Sequence, residues 1–106
     1  MLRKLEKYNN LFDVYQKLLT EKQSNYFKMY YQKDYSLQEI ADYYHVSRNA
    51  VYDQLKKTIA KLSDLEEKLK IVFKNEYRWH QYQRYLETKD EKYLKKMIEM
   101  EDENGI

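Results

Sequence analysis

The sequence contains no cysteine, no proline and a single glycine, Gly105. The lack of cysteine excludes a disulfide framework, a thiolate nucleophile and a zinc site with sulfur ligands. The lack of proline and the scarcity of glycine remove the residues that usually shape hairpins and tight turns, so long helices become the default structure. We therefore expect an all-α protein.

Long hydrophobic runs are missing as well. The segment Met1–Leu19 contains six charged side chains. It therefore has neither the apolar core of a signal peptide nor the apolar length that a membrane span requires. From this we expect a cytoplasmic protein with no membrane span.

Signatures of catalysis and of metal binding are also missing. Glycine-rich phosphate loops, nucleophile elbows and catalytic triads have recognisable patterns, and the sequence contains none of them. His45 and His80 are the only histidines, and neither has a second histidine or a cysteine at ligand spacing. The sequence therefore predicts a protein that is not an enzyme and that uses no metal ion or cofactor.

What the sequence does contain is a high proportion of charged residues with an uneven distribution. Of its 106 residues, 36% are charged and 42% are hydrophobic, which is enough apolar sequence for one compact domain. The net charge of +2 is too small to indicate a nucleic-acid partner by itself. Residues 47–62, however, contain four basic side chains and one acidic side chain, Asp53. Positive charge is therefore concentrated in this segment.

Apolar residues recur at helical spacing along the chain. The stripe of the first predicted helix consists of Leu5, Tyr8, Phe12, Tyr15 and Leu19. Capping boxes, in which Ser or Thr is followed three residues later by Gln or Glu, predict further helix starts at Thr20, Ser36 and Thr88. The thirteen tyrosines fall on such helical stripes, which favours packing over a stacking platform for single-stranded nucleic acid.

Residues Ser36 to Leu62 are predicted to form a helix-turn-helix. The two helices of this motif cross steeply about a short turn, which requires a small residue at the crossing, here Ala41. The turn contains His45, where glycine is usual because the backbone has positive φ, and histidine tolerates that conformation at some cost. Ser47 is expected to cap the next helix, whose predicted buried face consists of Val51, Leu55, Ile59 and Leu62.

These patterns divide the chain into a helix-turn-helix domain, residues 1–69 with the motif at 36–62, and a C-terminal helical extension, residues 70–106. The apolar residues beyond Leu62 exceed what a small motif needs; they include Leu65, Leu69, Val72, Phe73 and Trp79. We predict that the extension forms a homodimer, because half-site recognition brings two recognition helices together. The predicted last helix has Tyr93, Leu94, Met97 and Ile98 facing inward.

The run from Leu18 to Leu62 resembles the YlxM family of DNA-binding proteins, which is itself similar to the promoter-reading region 4 of bacterial sigma factors. The markers are Leu19–Gln23, Tyr35–Ala41 and Val46–Asp53. The resemblance implies an all-α bundle like sigma factor region 4, with long C-terminal helices, in a DNA-binding regulatory protein. Members of the family are encoded beside components of the signal recognition particle, which implies such a component as a further partner.

Position and chemistry then assign roles at the predicted interface with double-stranded DNA. Ser47 and the first-turn amides suit a phosphate, and Arg48 suits a phosphate or a guanine edge. Asn49 can pair with adenine, whereas Lys56 and Lys57 suit the phosphate backbone. The candidate nucleic-acid-binding residues are Ser47, Arg48, Asn49, Tyr52, Lys56 and Lys57. In the other interpretation Ser47 is only a cap and the cations form an ordinary solvated face.

Two further hypotheses compete with DNA binding. The first is an adaptor that binds a protein or a ribonucleoprotein through a repurposed helix-turn-helix, which the small net charge and Asp53 favour. Asp53 can equally form an ion pair with Lys57, four residues later, or accept a hydrogen bond from cytosine. The second is binding to structured RNA, although the narrow RNA major groove does not admit a helix.

Overall fold

The computed structural model describes residues 2–105, and the side chains of residues 5–99. Over that range the chain is helical, with no strand, which confirms the all-α prediction. The helices are α1 (Leu2–Tyr15), α2 (Glu21–Phe27), α3 (Leu37–Tyr44), α4 (Arg48–Leu69), α5 (Ile71–Thr88) and α6 (Lys92–Gly105). A 3-10 turn at Gln16–Leu18 follows α1, and a π-helical turn at Lys28–Gln32 follows α2. Two compact units result, Met1–Leu69 and Lys70–Ile106.

The core of the first unit forms where α1, α2 and α3 contact α4. Phe12 of α1 stacks on Phe27 of α2 with ring centroids 4.4 Å apart. Of the predicted α1 stripe, Phe12 and Tyr15 are buried, whereas Leu5, Tyr8 and Leu19 are half-buried. Leu11, which the stripe omitted, is buried as well.

Two of the predicted capping boxes are confirmed. The Thr20 hydroxyl accepts from the Gln23 amide at 3.1 Å, and the Gln23 side chain accepts from the Thr20 amide at 3.0 Å. Ser36 and Glu39 form the same reciprocal pair at 3.0 and 2.9 Å. Each pair satisfies two backbone groups, so the starts of α2 and α3 are fixed locally.

The third predicted capping box, at Thr88 and Glu91, is wrong. Thr88 is the last residue of α5, and its hydroxyl donates back to the Arg84 carbonyl at 2.9 Å. The start of α6 is instead capped by the Asp90 carboxylate, which accepts from the Lys92 amide at 3.0 Å. The pattern of Thr88 and Glu91 therefore does not mark a helix start, because Thr88 still belongs to α5.

The helix-turn-helix core lies between α2, the π-helical turn, α3 and α4. Its buried members are Tyr26, Met29, Ile40, Ala41, Val51 and Leu55. Ala41 is fully buried, as the predicted crossing of the two helices requires. Leu37 and Tyr44 of α3 pack against this cluster and remain partly exposed.

The buried face of α4 differs from its prediction at one position. Val51, Leu55 and Leu62 are buried as predicted, but Thr58 is fully buried where Ile59 was expected, and Ile59 is half-buried. The Thr58 hydroxyl donates to the Gln54 carbonyl at 2.8 Å. Because that bond satisfies the hydroxyl within the helix, burial of this polar side chain costs little.

A long-range hydrogen bond joins α1 to the second half of α4. The buried Tyr15 hydroxyl donates to the Glu66 carboxylate at 2.6 Å, across 51 residues of sequence. Hydrogen bonds to charged groups are among the stronger ones in proteins. This bond therefore holds the distal part of α4 against the C-terminal end of α1.

The second unit is a pair of helices in which α5 contacts α6. The Arg84 guanidinium lies over the Tyr93 ring, 5.5 Å from its centroid, and its hydrogen bond lowers the pKa of the Tyr93 hydroxyl. Tyr93, Leu94 and Met97 are half-buried, but Ile98, which was predicted to face inward, is 65% exposed. No side chain of α5 is fully buried.

The described turns with positive φ are formed by residues other than glycine. His45 has φ 57° and ψ 45°, the left-handed conformation predicted for the turn, and the amides of His45 and Val46 both donate to the Ala41 carbonyl. Three other non-glycine residues have positive φ, namely Asp34, Lys70 and Lys89. Each follows or separates helical segments, so these turns form at a conformational cost of about 1 kcal/mol or more per residue.

Replacement of His45 by glycine is expected to leave the thermal stability unchanged or to raise it. Glycine adopts positive φ without a steric penalty, and its greater freedom in the unfolded chain offsets part of the gain. His45→Ala is the matched control, because alanine keeps the penalty; we expect it to melt about 4–8 °C below the glycine variant. A glycine variant that melts several degrees below the wild type would contradict the turn's assignment.

Replacement of Tyr15 by phenylalanine is expected to destabilise the protein by about 1.5–3 kcal/mol. The substitution removes only the hydroxyl that donates to Glu66, and hydrogen bonds to charged groups have this magnitude. Urea unfolding followed by circular dichroism measures the change. Tyr35→Phe, at a 40% exposed tyrosine, is the control and should stay within about 0.5 kcal/mol. Equal midpoints for the two variants would show that the Tyr15 bond contributes nothing.

Candidate nucleic-acid interface

The candidate interface is the face of α4 opposite its buried stripe. Successive helical residues are rotated by about 100°, so the burial of Val51, Leu55 and Leu62 on one side turns the intervening residues outward. Asn49, Asp53, Lys56, Lys57 and Ala60 occupy that opposite side, and all five are exposed. The first three turns of α4 therefore present a continuous polar surface.

Ser47 begins this surface as the cap of α4. It directly precedes the helix, and its hydroxyl accepts from the Ala50 amide at 3.0 Å. The Ser47 carbonyl also accepts from the Val51 amide at 3.3 Å. The capping role is thus confirmed, and a phosphate at this end would be bound by backbone amides of the first turn rather than by the Ser47 hydroxyl alone.

The remaining candidate residues are all accessible. Arg48 and Asn49 lie in the first turn of α4, and Lys56 and Lys57 lie two turns further on; all four are exposed. Tyr52 is 51% exposed on one flank of the same surface. The structure thus brings the six predicted residues to the first half of α4 and its start, where Asn49, Lys56 and Lys57 face away from the core, Tyr52 lies on one flank, and Ser47 and Arg48 lie at the helix start.

Asp53 lies in the middle of this surface. Among the described residues its carboxylate makes no ion pair, and the pairing considered for Lys57 does not form; on the same helix it is Lys68 that pairs with an acid, Asp64. An exposed carboxylate between Asn49 and Lys57 can accept a hydrogen bond from a base amino group, but it repels phosphate. It therefore limits how the helix approaches a duplex.

The charge of α4 changes sign along its length. Beyond Lys61 the exposed side chains include Asp64 and Glu67, and Lys68 is bound to Asp64 at 3.0 Å. Acidic side chains in this half repel a polyanion, whereas the basic side chains lie in the first half. The basic surface is therefore confined to the end of α4 that follows the helix-turn-helix turn.

Sequence reasoning missed a cleft beside this surface, which we call the tyrosine cleft. It has a volume of about 270 Å³ and is lined by Tyr8, Tyr30, Tyr31 and Tyr52, together with Leu37, Leu55, Lys56 and Ile59. Tyr52 and Lys56 belong both to the cleft and to the basic surface. The lining comes from α1, the π-helical turn, α3 and α4, so no local spacing in the sequence could have revealed it.

The described residues contain no group of three or more His, Asp or Glu side chains that could hold a metal ion. They also contain no helix that combines the length and the apolar character needed to cross a bilayer.

Comparison with known proteins identifies relatives along nearly the whole chain. Residues 2–102 match a family model, UPF0122, that is described as "Putative helix-turn-helix protein, YlxM / p13 like". A UPF0122 protein of Anoxybacillus flavithermus is 46% identical over 108 residues, which cover 95% of this chain and 97% of the relative. The UPF0122 protein YlxM of Bacillus subtilis is 44% identical over 102 residues, covering 92% and 93%. A UPF0122 protein of Oceanobacillus iheyensis is 55% identical over 78 residues, covering 74% of each chain.

Proposed function

Because the chain belongs to the UPF0122 family of helix-turn-helix proteins similar to YlxM and p13, we propose that it is a cytoplasmic regulatory protein that binds duplex DNA through α4. The observation that supports this most directly is that α4 is buried on one side and exposed and polar on the other. One stripe of the helix is buried in the core, the opposite side exposes Asn49, Lys56 and Lys57, and Arg48 is exposed at the start of the helix. A helix with this exposure fits the major groove with its N-terminal end leading.

Within this proposal the residues divide by role. The first-turn amides of α4 and Arg48 bind a phosphate at the helix start, where the helix dipole favours an anion. Asn49 reads adenine through its paired donor and acceptor. Lys56 and Lys57 neutralise backbone phosphates, which makes the affinity salt-dependent without selecting a sequence. Tyr52 contacts the DNA at the edge of the region that these residues bind.

We further propose that the protein acts as a homodimer through α5. Trp79, Tyr82 and Leu86 are separated by three and four residues, the spacing of a coiled-coil seam, and are 57%, 38% and 46% exposed. A two-helix unit without a buried side chain in α5 has little core of its own and gains stability from association. In a dimer with a two-fold axis, this stripe of one copy packs against the same stripe of the other, so the surface is self-complementary.

A second candidate function is that of an adaptor for a protein or ribonucleoprotein partner, such as a component of the signal recognition particle. The unpaired Asp53 carboxylate at the centre of the polar surface favours it, because this group weakens attraction to phosphate. In that case α4 contacts a basic or mixed surface of the partner, and the salt dependence of binding to duplex DNA is weak.

Substitution of Arg48 or Lys56 by alanine is expected to weaken binding to random duplex DNA. For each lost phosphate contact the slope of log affinity against log salt should fall by about 0.9. Fluorescence anisotropy across a salt series measures both quantities. Lys68→Ala is the control, because Lys68 lies on the same helix but is bound to Asp64 in its acidic half. A structured RNA and the purified signal recognition particle are titrated in parallel.

Three outcomes of this experiment are distinguishable. A steep salt slope for DNA that both interface variants reduce and Lys68→Ala preserves supports the DNA-binding function. Salt-insensitive or absent DNA binding together with tight binding to the particle supports the adaptor. Equal effects of all three substitutions on DNA affinity would show that these basic side chains act only as general charge and that the first half of α4 is not the DNA-binding surface.

Replacement of Trp79 and Leu86 by lysine in the full chain is expected to convert the dimer to a monomer. In the dimer, the two introduced lysines would place desolvated ammonium groups opposite the same groups of the second copy, which is unfavourable. Sedimentation equilibrium measures the mass. His80→Lys is the control, since His80 is exposed and lies about 100° around the helix from Trp79, outside the stripe. A double variant that sediments like the wild type, or a wild type that is monomeric at micromolar concentration, would eliminate this interface.

A further inference from the structure

The tyrosine cleft has an apolar floor and an aromatic wall. Leu55, at 5% exposure, lies at its base, and the half-buried Leu37 and Ile59 complete the floor. Tyr8 and Tyr30 each contact Tyr31 edge to face, with ring centroids 5.6 and 5.0 Å from it. Rings held by such contacts keep their orientation, so the cleft is a preformed site rather than a gap between mobile side chains.

The phenol groups of the wall are available to a ligand. None of the hydrogen bonds among the described residues uses the hydroxyl of Tyr8, Tyr30, Tyr31 or Tyr52. Burial raises the pKa of the Tyr31 hydroxyl, and the neighbouring Tyr8 and Tyr30 raise it further. The hydroxyl is therefore protonated at neutral pH and can donate a hydrogen bond, as can those of its neighbours.

The cleft also has a charge of one sign. Among the described residues that line it, Lys56 is the one cation and none is acidic. Lys56 is exposed, and none of the ion pairs of the described residues includes it. An ammonium group at the edge of an apolar cavity attracts an anion, and the low polarity of the floor strengthens that attraction.

We propose that the tyrosine cleft is an effector site for a small planar aromatic anion. The ring of the ligand lies among the tyrosines above Leu55, its carboxylate or comparable group contacts Lys56, and phenol hydroxyls donate to it. The volume of about 270 Å³ lies just below the usual range of ligand sites, which begins at about 300 Å³, and this limits the ligand to one or two fused rings.

Occupancy of the cleft is coupled to DNA binding by shared residues. Tyr52 and Lys56 line the cleft and also lie on the basic surface of α4. A ligand that engages the Lys56 ammonium removes a phosphate contact, so each ligand weakens the binding of the other by the same factor. This step rests on the proposed DNA-binding function, whereas the binding of the aromatic anion does not.

The test uses 2-naphthoate as the probe and neutral 2-naphthamide as its uncharged counterpart, titrated into the full-length protein without DNA by calorimetry. We expect saturable binding of naphthoate and weaker binding of naphthamide. Tyr30→Ala should weaken naphthoate by about tenfold through loss of ring contacts. Lys56→Gln, a substitution at an exposed side chain, should abolish the preference for the anion. Tyr43→Ala is the control, because Tyr43 is 67% exposed and does not line the cleft.

The proposal is overturned by the absence of saturable binding, by equal affinities for the two probes in the wild type, or by unchanged naphthoate affinity in both cleft variants. A second titration, of duplex DNA at saturating naphthoate, tests the coupling. DNA affinity should fall in the wild type and fall less in Tyr30→Ala at the same naphthoate concentration, because that variant is less fully occupied. A protein that binds naphthoate as expected but no DNA retains the effector site and loses only the DNA-binding function. DNA affinity that naphthoate leaves unchanged in the wild type would overturn the coupling.

Discussion

Burial of one stripe of α4 is the constraint on which the rest of the structure depends. Val51 and Leu55 complete the helix-turn-helix core, and Leu62 extends the buried stripe towards the point where Tyr15 binds Glu66. A helix fixed along one side for this length cannot rotate without exposing large apolar side chains, at about 1.5–3 kcal/mol each. The polar side is therefore held outward, and its residues act as one rigid surface.

The rigid surface is useful because its charge is graded along the helix. Lys56 and Lys57 lie in the half that follows the turn, while Asp64 and Glu67 lie in the other half. A polyanion is attracted to the first half and repelled by the second, so it can approach only from the side of the helix-turn-helix turn. This grading explains how a chain with a net charge of only +2 presents a basic face.

Local signals in the sequence predicted the parts of the fold that local interactions determine. The capping boxes at Thr20 and Ser36 and the left-handed turn at His45 need only neighbouring residues, and all three were confirmed. Buried Leu11 and Thr58, by contrast, depend on which neighbouring helices cover them, which helical spacing does not specify. The box at Thr88 failed because the pattern marks a helix start only where the preceding chain is not already helical.

The tyrosines illustrate the same division at the level of function. The helical spacing of the tyrosines favoured packing over nucleic-acid stacking, and Tyr15 and Tyr26 are indeed core residues. Tyr8, Tyr30 and Tyr52 lie on three different elements and meet only in the folded chain, at the flank of α4. The sequence identifies α4 as the candidate interface, but the fold places a cavity against that helix. An interface that shares side chains with a cavity can respond to a ligand in that cavity, because the Lys56 ammonium group cannot neutralise an anionic ligand and a DNA phosphate at once.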